Sequence, residues 1–338
     1  MDPLTHAISG AVLARALPKQ PLPGKQVLLL ALLSMAPDID IVLRAWSDMS
    51  YLQHHRGITH SLLMLPLWSW LIFSLLKRKK QPSAMPAYLI GLALLMHILL
   101  DLITTFGTMI LAPLSHWRAS LDLVFIIDPI FTACLLIPLL LAFIPAWRSH
   151  ARPLAMLSLS LMFSYLALTY YNQQQAIALL KSKQANAQAY HALPLAFSPF
   201  NWQLIAQYPD HYVRAGVHLQ TGFIGLAGLF SKNFVQRVNS SRMSDADRID
   251  WQSLAAMHTV KDVDQLPGTA FYQWFASYPV VLEHDDQHLV FGDLAFGAGA
   301  NAVPPSFELR IDLHQTETHH KARAWLIWHS NQATELIQ

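Results

Sequence analysis

Thiol chemistry is nearly missing from this sequence: Cys134 is the single cysteine among 338 residues. An internal disulfide and a thiolate metal cluster are therefore excluded, and any transition-metal site must be assembled from imidazole and carboxylate. Charge is scarce as well. Asp, Glu, Lys and Arg make up 13% of the chain, about half the usual share in a soluble protein, which argues against a disordered chain. A formal net charge of +2 offers no strongly basic face, so nucleic acid is not an expected partner. The motifs Gly-x-Ser-x-Gly, Gly-x-x-x-x-Gly-Lys and His-Glu-x-x-His are absent, which removes the serine-nucleophile, phosphate-loop and zinc-protease readings. Glutamate is missing altogether from residues 1–175.

What remains is distributed unevenly. Residues 1–175 hold 12 Lys and Arg against seven Asp, a net +5, whereas residues 176–338 hold 11 Lys and Arg against 14 Asp and Glu, a net −3. The first part also carries the long apolar runs. Ser61–Leu76 and Met85–Leu100 each reach about 24 Å as helices, somewhat short of a hydrocarbon core of about 30 Å. Pro129–Trp147 and Leu154–Tyr171 are longer and uncharged, with Arg148 and Arg152 in the turn between them. Pro3–Leu17 and Gln26–Met35 are short and read as half-spanning or re-entrant helices. Asp2 stands where a cleavable signal peptide would carry basic residues. By the positive-inside rule Lys19, Lys25, the Lys77–Lys80 cluster, Arg148 and Arg152 face the cytoplasm. Asp2–His6, Ala36–His60, His97–Asp128 and everything after Tyr171 then lie on the other face.

Later the periodicity changes. Val213–Gln220, Leu289–Phe296 and Phe307–His314 alternate apolar and polar residues as half-buried strands do, and Ala322–Trp328 reads as a fourth strand. Ser244 before Asp245–Met257 suggests an N-cap and a short helix, and Asp264–Ala276 another. The expected fold is mainly α: a polytopic membrane helical bundle over residues 1–175, followed by an extramembrane α+β or mostly β domain over residues 195–338. The ten histidines of the tail, including the pair His319-His320, read as solvated surface.

Four short segments concentrate the chemistry. Thr5-His6 opens the first helix. Ala36-Pro37-Asp38-Ile39-Asp40 ends the second, where proline breaks it and leaves two carboxylates two residues apart. His54-His55-Arg56-Gly57-Ile58-Thr59-His60-Ser61 precedes the third, and His97 and Asp101 lie four apart on one helix face, able to grip a single ion. Taken singly, His6 reads as an interfacial cap, Asp38 and Asp40 as loop solvation, His54-His55 as surface, and His97 with Asp101 as an intrahelical hydrogen bond. Topology places all four segments on one membrane face, and imidazole with carboxylate is the ligand set of zinc and similar divalent ions.

Asp2…Thr5-His6, Pro37-Asp38-Ile39-Asp40, His55-Arg56-Gly57-Ile58-Thr59-His60-Ser61 and His97…Asp101 followed by Thr104-Thr105-Phe106-Gly107-Thr108 resemble the bacterial inner-membrane metal-dependent hydrolases, some of which are under DNA-damage-repressor control. The resemblance covers residues 1 to about 170, and Ser198-Pro199-Phe200-Asn201-Trp202 is similar to the longer members. It implies a multi-pass protein of the inner membrane whose site and C-terminal domain face the periplasm. More distantly, the order His, Asp, His, His-x-x-x-Asp is similar to zinc-dependent phospholipase C and the single-strand-specific zinc nucleases. Carried over, Asp38, His60, His97 and Asp101 hold one ion, and Asp101 with His6 shares a second.

The expected activity is hydrolysis by metal-activated water, most plausibly of a phosphoester in a lipid or lipid-linked phosphate, with one or two divalent ions, zinc first among them. Asp40 is the candidate general base. Arg56 is the candidate phosphoryl clamp, unless it is tied to Asp48 or to lipid headgroups. His54 or His55 could complete a second ion's shell, and Thr59 and Ser61 cap the helix or orient His60. The alternative is a non-enzymatic stress-related membrane protein with a structural ion and a partner-binding outer domain. Membrane lipids are the expected surroundings, and no protein partner is indicated.

Overall fold

The computed structural model describes residues 1–78, 85–196, 198–219, 243–245, 249–297, 307–313, 323–328 and 333–337. The chain divides into two compact units, one of Met1–Tyr171 with Ala196–Pro199, the other of Asn172–Leu195 with Phe200–Gln338. About half of the chain is helical, and the strands gather in its C-terminal part. Gln220, His314 and the pair His319-His320 lie outside the described residues, as do Lys79 and Lys80.

In the first unit α1 (Pro3–Ala16) begins on Asp2, whose carboxylate accepts from the Thr5 backbone N–H at 3.0 Å and from its hydroxyl at 2.6 Å. Pro3 suits this first turn because its missing N–H has no partner there anyway. α2 (Gly24–Leu33) gives way to a 3-10 helix over Ala36–Ala45, so Pro37 does more than end a helix: it starts a tighter one. α3 (Asp48–His54), a 3-10 turn at Ile58–His60, α4 (Leu65–Arg78), α5 (Ala87–Leu102), α6 (Pro129–Leu141) and a 3-10 turn at Pro145–His150 follow, before α7 (Ala151–Lys183).

Two apolar cores hold the unit together. Ile8 and Val12 of α1 meet Leu100 of α5, Phe131 and Leu135 of α6 and Met162 of α7. On the other side Leu13 and Ala14 meet Leu30 of α2 and Leu89, Ala93 and Leu94 of α5. α1 and α5 thus sit between the cores. Gly10 permits the closest approach, because a Cβ there would lie 2.6 Å from the Leu30 carbonyl oxygen and also collide with the Ser34 hydroxyl.

Among the described residues one helical stretch, Pro145–Lys183, is long and apolar enough to cross a membrane by itself. Two bent pairs pass the same test only if each counts as one span: Gly24–Leu33 with Ala36–Ala45, bent by 50°, and Asp48–His60 with Leu65–Lys77, bent by 78°. The expected span Pro129–Trp147 is not one helix: α6 ends at Leu141, and Pro145, which has no N–H to donate, opens the next element. Arg148 lies in the 3-10 turn that leads into α7, and Arg152 in the first turn of α7 itself.

Asp128 caps α6. Its carboxylate accepts from the Ile130 and Phe131 N–H groups at 2.9 and 3.0 Å and from the Tyr165 hydroxyl at 2.6 Å. Since Asp128 is buried, Tyr165→Phe is expected to destabilise the unit by about 1–3 kcal/mol. A lowered thermal midpoint in detergent checks this, and an unchanged midpoint removes the bond from the account.

The second unit has two five-stranded sheets. In one, β1 (Ala189–Pro194), β2 (Asn201–Gln207) and β3 (His211–His218) pair antiparallel, β4 (Met243–Asp245) runs parallel to β3, and β5 (Gln252–Ala255) pairs its N-terminal half. In the other, β6 (Pro279–His284), β7 (His288–Asp293), β8 (Phe307–Asp312), β9 (Arg323–Trp328) and β10 (Ala333–Ile337) form an antiparallel meander. Strand structure begins ahead of Leu195. The helix expected over Asp245–Met257 is not formed. Gln252–Ala255 is a strand instead, tied to β3 by the Arg214 guanidinium, which donates to Gln252 Oε1 at 2.8 and 3.1 Å. The helix expected from Asp264 starts only at Thr269, as α8 (Thr269–Phe275), because Pro267-Gly268 intervenes with Gly268 at φ 78°.

Candidate metal centre

Each polar member of the centre is placed by a local feature of the backbone. His97 and Asp101 stand one turn apart on α5, and both are buried. Asp38 and Asp40 stand on a 3-10 helix, where three residues make a turn and side chains two apart diverge. Asp38 points to His60 and His97, whereas Asp40 points to His55 and the Arg56 backbone. His60 closes the turn Ile58–His60, and Gly57 before it takes φ −91°, ψ −119° with room for no Cβ, which would lie 2.7 Å from the His54 carbonyl oxygen.

Four donor atoms converge. His60 Nε2 lies 2.9 Å from His97 Nε2, 3.1 Å from Asp101 Oδ2 and 3.4 Å from Asp38 Oδ1. His97 Nε2 lies 3.3 Å from Asp101 Oδ2 and 3.5 Å from Asp38 Oδ1. A tetrahedron drawn around an ion with bonds of about 2.0–2.1 Å has edges of about 3.3–3.4 Å, and the five separations surround that value.

With neutral rings, His97 Nδ1, 2.6 Å from the Ser34 carbonyl, carries the proton and leaves Nε2 as a bare lone pair. The Thr59 hydroxyl gives its one proton to Asp40 Oδ2 at 3.2 Å and accepts from His60 Nδ1 at 2.9 Å, which leaves the His60 Nε2 bare as well. Asp101 Oδ2 is buried with no hydrogen-bond donor. Two nitrogen lone pairs and two carboxylate oxygens facing one another repel unless a cation sits among them, and this donor set suits a divalent ion such as zinc. Thr59→Val keeps the shape and removes the orienting hydroxyl. Metal affinity is expected to fall about 10- to 100-fold, measured by competition with a chromophoric chelator.

Arg56 adopts φ 57° and is buried. Its guanidinium donates to Asp101 Oδ1 at 2.8 Å and to the Thr104 hydroxyl at 2.9 Å and lies over the Phe106 ring; the terminal amine of Met1 also donates to Asp101 Oδ1. This geometry makes Arg56 the charge partner of Asp101, not the free phosphoryl clamp expected of it, and the arginine tied to Asp48 is Arg44, at 3.0 Å. Asp40, the candidate base, has both oxygens engaged: one faces His55 Nδ1 at 3.0 Å, the other accepts from Arg56 N and from Thr59. It positions His60 through Thr59.

His6 stacks on His97 with ring centroids 3.7 Å apart and has Nε2 3.4 Å from Asp101 Oδ1, outside the four-atom group. A second group that could hold an ion is Asp38, Asp40 and His55, so Asp38 and not Asp101 is the residue common to both. His54 is not brought in; its Nδ1 bonds the Ser50 carbonyl at 2.9 Å. Ser61 does not cap α4: it accepts from Leu63 N at 3.1 Å in the turn before that helix and donates to the Ala112 carbonyl at 2.5 Å. Sequence reasoning missed the Ser34 carbonyl and Thr104. A backbone oxygen leaves no sequence signal, but Thr104, three residues after Asp101 on the helix exit, had a positional one.

Residues 1–176 match the family model described as YdjM inner membrane protein. The chain belongs to this family. The matched span contains the whole centre, Asp38 through Asp101, with His6, helices α1 to α6 and most of α7. The uncharacterized protein YfhP of Bacillus subtilis (strain 168) is 31% identical over 138 residues, which is 38% of this chain and 42% of that protein. The chain thus matches less than half the length of this curated relative. No solved structure matches it. As a YdjM-family member with at least one helix able to cross a bilayer, it is an inner membrane protein with a buried His/Asp cluster fitted for an ion.

Proposed function

We infer that this inner membrane protein is a metal-dependent hydrolase, a phosphoesterase acting on a lipid or lipid-linked phosphate, with its site and C-terminal end at the periplasmic face of a multi-pass chain. The observation that carries the reading is the pair of bare Nε2 atoms at 2.9 Å beside two carboxylates. A divalent ion held there supplies Lewis acidity and a water that loses its proton near neutral pH. The chain's own residues do the rest. Ser34 and Thr59 fix the two imidazoles, Arg56 offsets the Asp101 charge, and Asp38, with 26% of its side chain exposed, is the member of the four that solvent and substrate can reach. Positive residues at Lys19, Lys25, Lys77 and Arg148 support the orientation.

A second reading has an observation of its own. His60, His97 and Asp101 have side chains 0–1% exposed, and a closed shell of four protein ligands is the habit of structural ions. The experiment uses the full chain in detergent and measures divalent metal per chain together with phosphate release from phosphatidic acid micelles. About one ion per chain with phosphate release that chelation abolishes and metal restores is the result expected. An ion that never exchanges, with no hydrolysis of phosphomonoesters or phosphodiesters, favours the structural reading, and wild type without an ion sinks both.

A further inference from the structure

Beside the centre lies a cavity of about 290 Å³ whose wall is almost wholly apolar. Its position is set by the chain. Pro37 and Ile39, on either side of Asp38, line it; so do Thr59, the neighbour of His60, and Ile98, the neighbour of His97. Three of the four ion-facing residues therefore sit immediately next to wall residues. Thr59 supplies the polar side chain of this wall, and its hydroxyl is already engaged by Asp40 and His60. Trp68 and Ile72 of α4 and Leu94 of α5 complete the far side.

The cavity adjoins both bent helix pairs: Ala36 and Pro37 follow the 50° break, and Leu65 follows the 78° break. Around these breaks the surface is apolar too, with Ile39, Ile58, Leu63 and Leu67 each about half exposed or more (64, 46, 47 and 46%). Such a surface in an inner membrane protein faces hydrocarbon. An apolar slot whose wall residues adjoin Asp38, His60 and His97 in the chain, with apolar surface around it, fits a molecule with a charged head and a hydrocarbon tail.

We propose that this cavity seats a single hydrocarbon chain of the substrate, whose anionic head would be bound by the ion that Asp38, His60, His97 and Asp101 hold. The proposal rests on the hydrolase reading and adds the substrate class: an amphiphile taken from the bilayer by one chain. The slot's volume of about 290 Å³ suits one chain and not two. Each buried methylene raises affinity about fourfold, equivalent to ~0.8 kcal/mol, so affinity climbs with chain length until the slot is filled.

The test uses the full chain in phosphatidylcholine nanodiscs with decyl phosphate bearing a terminal diazirine. Photolabel is expected within residues 65–72 and 94–98. Two substitutions fill the slot from different walls: Ile72→Trp, and Ile39→Trp, whose native side chain is exposed and not needed for the core. Both are expected to cut slot labelling at least about tenfold while metal per chain stays as in wild type. Removing the ion with chelator is expected to cut labelling as well, because the head loses its anchor. Labelling of the slot that is indifferent to the ion overturns the proposal and leaves a lipid niche; label spread over exposed residues such as Trp70 and Leu75 overturns it too. Failure of the hydrolase reading looks different: wild type then binds no ion, or holds one that never exchanges and releases no phosphate.

Discussion

His97→Ala is expected to abolish stoichiometric metal binding, and Asp101→Asn to do so while also destabilising the fold. The two differ because of what each leaves behind. His97→Ala removes one bare nitrogen and opens a small cavity, whereas Asp101→Asn removes the charge against which the buried Arg56 guanidinium is set at 2.8 Å. An uncompensated buried charge costs about 3–5 kcal/mol, so Asp101→Asn is expected to lower the thermal midpoint steeply even in metal-free buffer. Metal analysis of the purified variants, paired with melting in the presence of chelator, separates the two effects. A His97→Ala protein that still carries one ion per chain would falsify the four-donor centre.

Gly10→Ala has an effect of similar size with no polar atom changed. A Cβ at this position would lie 2.6 Å from the Leu30 carbonyl oxygen, which is backbone and cannot swing aside. α1 and α2 must part, at about 1–3 kcal/mol for overpacking. α2 also leads directly into the Ser34 carbonyl that holds His97 Nδ1. The substitution is thus expected to weaken metal binding at a distance, with a lower midpoint and a reduced affinity in the same chelator competition. Gly24→Ala is the control: nothing lies within 4 Å of a Cβ there, and stability should hold or rise slightly, as alanine favours the helix. Equal losses from the two variants would remove the close approach to Leu30 as the cause of the Gly10 effect, since helix propensity favours alanine at both positions.

Legibility in the sequence followed how local each cause is. His97 and Asp101 were readable because an α-helix puts residues four apart on one face. The division of roles between Asp38 and Asp40 was not, since side chains two apart diverge on any helix and only the fold shows which of them meets His97. Arg56 suggested a ligand clamp by its type, yet its left-handed backbone turns it inward to Asp101. In the second unit β8 alternates in burial as it does in sequence, whereas β2 is buried along nearly its whole length and so has no period to detect. The strand at Gln252–Ala255 formed because β3 offered it an edge, a tertiary circumstance that outweighed the cap signal at Ser244.

The centre also bears on how a chain with a single cysteine holds distant segments together. Asp38 and Asp101 are joined through one set of donors across a stretch on the order of 60 residues, and closing a loop of that length removes as much freedom from the unfolded chain as a covalent bridge does. Were an ion held there, metal supply would bear on the protein's lifetime: in cells starved of it the helical unit would open more often and be more exposed to proteolysis.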